Sequence, residues 1–197
     1  MQDDRAYGWA TAQRRLHWWT AGLICLALPL GVLMVVVPLR QLLLKFLLYQ
    51  LHKTIGITVL LLVAARLLLR VSRTRPAWAS GMPRAQQLLA AGTHAMLYFL
   101  MAATPVLGYL TAATAPAQVP TFYLLLLNIP HLVGVNAAWY AILRPVHLAA
   151  ALLLVALAAG HAAMAVLHHV HGDDTLVRMW SGGRATRPLH PAGGRSG

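Results

Sequence analysis

Histidine is the residue type in this sequence best suited to chemistry, and its spacing is informative. Two of the 10 histidines, His147 and His161, bracket the apolar stretch HLAAALLLVALAAGH. On an α-helix their separation corresponds to a rise of about 21 Å and about four turns, so both imidazoles fall on one face. An ionisable side chain inside an apolar helix is costly without a partner. The spacing therefore predicts either hydrogen bonds to neighbouring helices or functional sites at two depths.

The elements that must position these histidines are membrane helices. The 197 residues are 59% hydrophobic and 10% charged, and the mean hydropathy is +0.63, which is too apolar for a soluble domain. Four apolar stretches reach the about 20 residues needed to cross a bilayer, and none alternates as a barrel strand does. We predict an all-α integral membrane four-helix bundle within a single domain over 1–180. Its helices are expected at about 16–38, 46–69, 88–113 and 145–170.

A fifth apolar run, FYLLLLNIPHLVGVNAAWYAIL, occupies residues 122–143. Its middle contains polar residues and helix breakers where a spanning helix would favour Leu or Val. These are Asn128, Pro130, His131, Gly134 and Asn136. We therefore predict a membrane-surface cap between helices 3 and 4, either lying on the surface or re-entrant.

The net charge of +12 is distributed unequally along the predicted topology. With a cytoplasmic N-terminus, eleven arginines fall on the inner side, and only four cations fall on the outer side: Arg40, Lys45, Lys53 and Arg144. This bias predicts that both termini are cytoplasmic. It also indicates attraction to a membrane surface rather than to nucleic acid. Residues 71–87 are predicted to form an inner linker, and residues 181–197 a disordered cytoplasmic tail.

The histidines within the spans sort into two layers. The outer layer contains His52 and His147, and the inner layer has three candidates: His17, His94 and His161. Two imidazoles that face each other across a bundle can bind an iron porphyrin, because each offers a neutral ring nitrogen to one axial position. One pair per layer predicts two haems, although depth alone does not choose between His17 and His94.

Non-haem readings fit the composition less well. A bare metal site would normally add carboxylates or thiolates, but Cys25 is the single cysteine and the four acids lie outside the spans. Those acids are Asp3, Asp4, Asp173 and Asp174. A His-lined transporter would be expected to bury carboxylates in its proton relay. Hydrogen-bonded structural histidines remain the plain alternative to haem ligands.

Four segments together resemble the prokaryotic cytochrome b561 family of dihaem membrane proteins. They are RRLHWW at 14–19, LHKTIG at 51–56, THAMLYFLMAATPVLGYL at 93–110 and HLAAALLLVALAAGHAAMAVLHHVHGDDTLVRMW at 147–180. The resemblance implies a multi-pass protein of the bacterial inner membrane that binds two b-type haems. It further implies that His17 and His161 hold the inner haem iron, and that His52 and His147 hold the outer one.

The same resemblance implies that His94 and His168 line a ubiquinone site beside the inner haem. His168 lies seven residues beyond His161, on the same face and about 10 Å closer to the cytoplasm. Histidine titrates near neutral pH and can relay the protons that quinone reduction consumes; a solvated helix end is the alternative. Arg66 lies fourteen residues after His52, at inner-haem depth, where it is expected to bind a haem propionate or to snorkel to the interface.

Two glycines within the predicted helices each have two possible roles. Gly56 and Gly108 either let a porphyrin approach the backbone or serve helix packing.

The outer cations Arg40, Lys45, Lys53 and Arg144 suggest steering of a small anion. The family includes superoxide oxidases, so the resemblance implies an enzyme that passes electrons from superoxide to ubiquinone. The alternative is a membrane-anchoring cytochrome b subunit of a periplasmic dehydrogenase or hydrogenase, docked through residues 114–143.

Overall fold

The computed structural model describes residues 11–72, 83–172 and 175–180. In chain order its elements are α1 (Thr11–Val36), a one-turn 3-10 helix (Leu39–Gln41), α2 (Leu42–Ser72), α3 (Arg84–Thr114), β1 (Thr121–Tyr123), β2 (Leu127–Ile129), α4 (Ala137–Val170) and α5 (Thr175–Trp180). Four helices are long and apolar enough to cross a membrane. The predicted all-α four-helix membrane bundle is therefore confirmed.

The bundle consists of two helix pairs, α1 with α2 and α3 with α4, joined where α2 packs on α3. Helices α1 and α4 contact each other at few positions. Most large apolar side chains are exposed, as expected where lipid rather than water surrounds the helices. The buried core follows one stripe of each helix: Leu30, Ile55, Val59, Val63, Leu97, Leu100, Met101 and Leu154.

Helix α4 begins at Ala137, eight residues before the predicted start at 145. The side chain of Asn136 caps it, because its Oδ1 accepts a hydrogen bond from the backbone nitrogen of Trp139 at 3.0 Å. Pro145 lies within the helix. The last third of the apolar run at 122–143 therefore belongs to α4 rather than to the cap. The other three spanning helices begin four or five residues earlier than predicted.

The cap itself contains an antiparallel hairpin, in which Thr121 pairs with Ile129 and Tyr123 with Leu127. Its turn places Leu124 and Leu125 at φ angles of 53° and 60°, the left-handed region that favours Gly or Asn. We call the end of the bundle that carries this hairpin and the α1–α2 turn the hairpin end. The opposite end, where α1 begins and α5 lies, is the termini end.

At the termini end, α5 is fastened to the first turns of α1. Arg14 Nη1 donates to the carbonyl of Trp180, and Trp18 Nε1 donates to the carbonyl of Met179, each at 3.0 Å. The indole rings of Trp18 and Trp180 meet edge to face with centres 5.1 Å apart. This contact links the beginning of the described chain to its end. Most of the predicted linker at 71–87 and the tail at 181–197 lie outside the described residues.

Candidate functional site

The first candidate site is a histidine pair at the hairpin end. His52 on α2 and His147 on α4 face each other with ring centres 6.3 Å apart and planes at 85°. His52 Nδ1 donates to the carbonyl of Ala27, and His147 Nδ1 donates to that of Thr104, each at 3.0 Å. A ring that donates through Nδ1 keeps the Nε2 lone pair available to a metal. Each of the two rings therefore retains a lone pair that a metal ion could bind.

A glycine makes room for each of these rings. A Cβ added at Gly31 would lie 3.1 Å from Cε1 of His52, and one added at Gly108 would lie 3.0 Å from Cε1 of His147. Each glycine comes four residues after the carbonyl that its histidine binds, so the same arrangement occurs on α1 and α3. Gly31 was not predicted as a site residue. At Gly56, by contrast, an added Cβ would meet only Pro105 at 3.9 Å, which indicates helix packing.

The second candidate site lies at the termini end, where three histidines meet. The ring centres of His17 on α1 and His161 on α4 are 6.4 Å apart, with planes at 72°. His94 on α3 lies closer to His161, at 5.1 Å. His94 Nδ1 donates to the carbonyl of Ala90 in its own helix at 2.6 Å. The structure thus brings together all three histidines that the sequence assigned to the inner layer.

Ring separation tests which of these pairs can share one metal ion. An imidazole nitrogen binds a metal at about 2 Å and lies about 1.2 Å from its ring centre, so two ligands on opposite sides have centres about 6.4 Å apart. The His52–His147 and His17–His161 separations match this value, at 6.3 and 6.4 Å. The 5.1 Å separation of His94 from His161 is too short. Each of these two pairs is therefore spaced as two ligands of one haem iron would be.

A comparison with family models places this chain among known proteins. The model for prokaryotic cytochrome b561 matches residues 8–182. The chain belongs to this family. Cytochrome b561 proteins of this type are multi-pass membrane proteins that bind haem b and transfer electrons, so the protein is a membrane oxidoreductase. A search of curated proteins found no match.

In this cytochrome b561, Arg66 contacts the termini-end pair directly. Its Nη2 lies 3.2 Å from His17 Nδ1. Because a guanidinium only donates, His17 Nδ1 accepts in this contact and its proton resides on Nε2. Holding a metal through Nε2 would require the other tautomer, and Arg66 would then have to turn away from His17. A guanidinium that turned away from His17 would be able to bind a carboxylate.

A second arginine shares the surroundings of Arg66. The guanidinium carbons of Arg66 and Arg70 lie 5.1 and 5.3 Å from the ring centre of Tyr98. Cation–π contacts of this kind stabilise partly buried guanidinium groups. The described part of the chain contains no Asp or Glu that could neutralise either charge. A ligand with carboxylate groups, such as haem b, would supply an anionic partner for these two guanidinium groups.

The predicted outer cations divide into two kinds. Lys45 Nζ donates to the carbonyls of Met34 and Val37 at 2.9 and 2.7 Å, and so caps the end of α1. Lys53 Nζ donates to the carbonyls of Val119 and Pro120 at 2.9 and 3.1 Å, which holds the base of the hairpin. Both lysines therefore stabilise local backbone structure as well as contributing positive charge.

The other two cations, Arg40 and Arg144, have exposed side chains at the hairpin end. His168, predicted with His94 to line a quinone site, is half-buried on α4 towards the termini end. It lies seven residues beyond His161, on the same helix face.

Proposed function

We propose that this cytochrome b561 is a dihaem superoxide:ubiquinone oxidoreductase. His52 and His147 hold the iron at the hairpin end, and His17 and His161 hold the iron at the termini end. Each haem, when bound, supplies a one-electron couple. The observation that carries the proposal is the pair of matching ring separations, 6.3 and 6.4 Å, at two levels of one bundle. The two levels are about 21 Å apart along α4.

The hairpin end is the proposed superoxide side and faces outward from the bacterial inner membrane, with both termini cytoplasmic. Arg40 and Arg144 are exposed there, while Lys45 and Lys53 add charge behind them. A surface of one sign raises the local concentration of a small anion and its rate of encounter. Two superoxide ions each lose one electron and leave as O₂.

The termini end is the proposed ubiquinone side. Ubiquinone gains the two electrons together with two protons and becomes ubiquinol. His94 lies beside the ligand pair without matching its geometry, and His168 lies between that pair and the cytoplasmic end of α4. An imidazole can accept a proton at one ring nitrogen and donate one from the other, so these two can deliver protons from the water at the termini end. With haem bound, Arg66 would turn from His17 and could bind a haem propionate.

The first test is stoichiometry. The purified protein should contain two b-type haems per chain by visible spectroscopy and protein quantification. An alanine at any one of His17, His52, His147 or His161 should leave one haem, whereas His94→Ala should leave two. Loss of haem from His94→Ala with retention by His17→Ala would exchange their roles and refute the proposed pairing.

The second test is the electron donor. Superoxide generated in solution should reduce the detergent-solubilised protein at a nearly diffusion-limited rate that falls as salt is added. Arg40→Glu combined with Arg144→Glu should slow this reduction without changing haem content. Neither exchange disturbs the lysine contacts with the backbone. Slow reduction that is insensitive to salt and to this charge reversal would rule out superoxide steering.

The competing function is a membrane-anchoring cytochrome b subunit for a periplasmic dehydrogenase or hydrogenase. It is favoured by apolar side chains exposed just after the hairpin, at Leu132, Val133 and Val135. Exposed patches of this type mark protein interfaces. Co-purification of a large soluble redox subunit, together with slow reduction by superoxide, would support this function over the first.

A further inference from the structure

The hairpin is polar where it meets the bundle and apolar where it faces away. Leu124, Leu125 and Leu126 form its tip and Leu127 begins β2, and between 55% and 86% of each of these side chains is exposed. No charged residue occurs between Arg84 and Arg144. Antiparallel strands that face water on one side normally direct polar side chains outward. This hairpin instead exposes apolar side chains and directs its polar contacts towards the bundle.

Side chains of α2 hold the hairpin at successive levels. Gln50 donates to the carbonyl of Pro120 and accepts from the backbone nitrogen of Phe122, each at 2.9 Å. One helical turn further along α2, Thr54 Oγ1 accepts from the backbone nitrogen of Leu124 at 3.2 Å. The base of the hairpin is therefore level with Gln50, and its tip is level with Thr54.

A third contact lies one further helical turn along α2, towards the termini end. The hydroxyl groups of Thr58 and Tyr123 are 3.3 Å apart. Gln50 and Thr54 thus give backbone groups at the outer edge of β1 polar partners on α2, and Thr58 gives one to the side chain of Tyr123. Non-helical backbone is tolerated within a bilayer only where protein satisfies its polar groups in this way.

The register along α2 sets the depth of the tip. Lys45 and Arg70 lie 25 residues apart, about 38 Å of helix, which exceeds the about 30 Å of a hydrocarbon core. A core centred between these two cations begins near residue 48. Thr54 then lies about 10 Å inside the boundary, and Thr58 lies near the middle.

We propose that the hairpin re-enters the membrane, and that Leu124, Leu125 and Leu126 contact the acyl chains of the leaflet at the hairpin end. The backbone at Leu124 and Leu125 is left-handed, a conformation in which Asn and Gly are favoured over Leu. Leucine is therefore not suited to forming the turn, and apolar surface is what these side chains add. Asn128, which pairs with Phe122 above the tip, marks the upper limit of the inserted part.

Site-directed spin labelling tests this placement without relying on electron transfer. Replacing the single cysteine, Cys25→Ala, gives a background for one nitroxide at Leu126→Cys in the haem-loaded protein, at one copy per lipid nanodisc. Ala117→Cys, an exposed site at the hairpin base, serves as the aqueous reference. Leu61→Cys, exposed by 57% on α2, serves as the lipid-facing reference. Leu125→Cys is a second tip position in case the first variant loses its haem spectrum.

At the tip, collisions with O₂ should match those at the lipid-facing reference. Collisions with a water-soluble nickel chelate should be at least about fivefold fewer than at the aqueous reference, because the chelate is excluded from hydrocarbon. Chelate access equal to that at Ala117 would place the hairpin on the membrane surface and overturn the proposal. Low access to both reagents would mean that protein covers the tip, and would overturn it equally.

Discussion

Adding one methyl group at Gly31 or Gly108 should displace the histidine that the glycine accommodates. The new Cβ would lie 3.1 or 3.0 Å from a ring carbon, and ordinary contact begins near 3.4 Å, so the ring must move by about 0.3 to 0.4 Å. Overpacking of this size costs about 1 to 3 kcal/mol, which corresponds to about 5- to 150-fold weaker haem binding. Gly31→Ala and Gly108→Ala should therefore lose haem at the hairpin end, measured as a haem-to-protein ratio that falls from two towards one.

The matched controls lie on the same two helices. An added Cβ at Gly22 on α1 or at Gly92 on α3 meets nothing within 4 Å. Gly22→Ala and Gly92→Ala should retain both haems, and each should raise the free energy of unfolding by up to about 1 kcal/mol, because alanine is the better helix former. If Gly31→Ala and Gly108→Ala retained haem as fully as these controls, the proposed accommodation of the rings would be refuted.

Three further changes give independent tests. Arg66→Gln should lower the midpoint potential of the termini-end haem by about 60 mV, because a nearby cation favours the reduced iron; this shift is a tenfold change in the equilibrium constant for one electron. Arg66→Lys keeps the charge and should preserve the potential. An unchanged potential in both variants would exclude the propionate contact. Lys53→Met should weaken hairpin docking by about 2 kcal/mol and speed amide exchange in β1 about 30-fold, whereas Lys45→Met should leave that exchange unchanged. Burial, with repulsion from Lys53, lowers the pKa of His131 from 6.5. The folded hairpin then binds fewer protons than the open one below about pH 6.5, so opening should increase on acidification and His131→Gln should abolish that pH dependence; equal slopes in both proteins would contradict this assignment.

The two histidine layers were predictable because helical periodicity fixes both face and depth. His147 and His161 had to lie on one side of α4, and the structure places each opposite a histidine of another helix. The choice between His17 and His94 was not predictable from depth, because both lie in the same layer. Their ring centres lie at different distances from His161, 6.4 Å for His17 and 5.1 Å for His94, and these distances depend on how the helices pack.

Gly31 and the hairpin were missed for different reasons. A glycine that accommodates a side chain from another helix has no distinctive pattern of neighbouring residues in the sequence. Glycine does destabilise a helix interior, so its presence there requires a reason. The hairpin has strands of three residues, and its turn contains Leu124 and Leu125 where a recognisable signal would be Asn-Gly. The start of α4 was missed because Asn136, which the sequence analysis grouped with helix breakers, is the N-cap of that helix.

Each histidine pair draws one member from α4, which comes after the other three described spanning helices in chain order. His52 is synthesised 95 residues before His147, an interval of about 5 to 20 s at ordinary rates of translation. Neither pair exists until that helix has been inserted beside the other three. On the proposed assignment of the haem ligands, cofactor loading follows the insertion of α4, and a chain truncated before α4 should retain no haem.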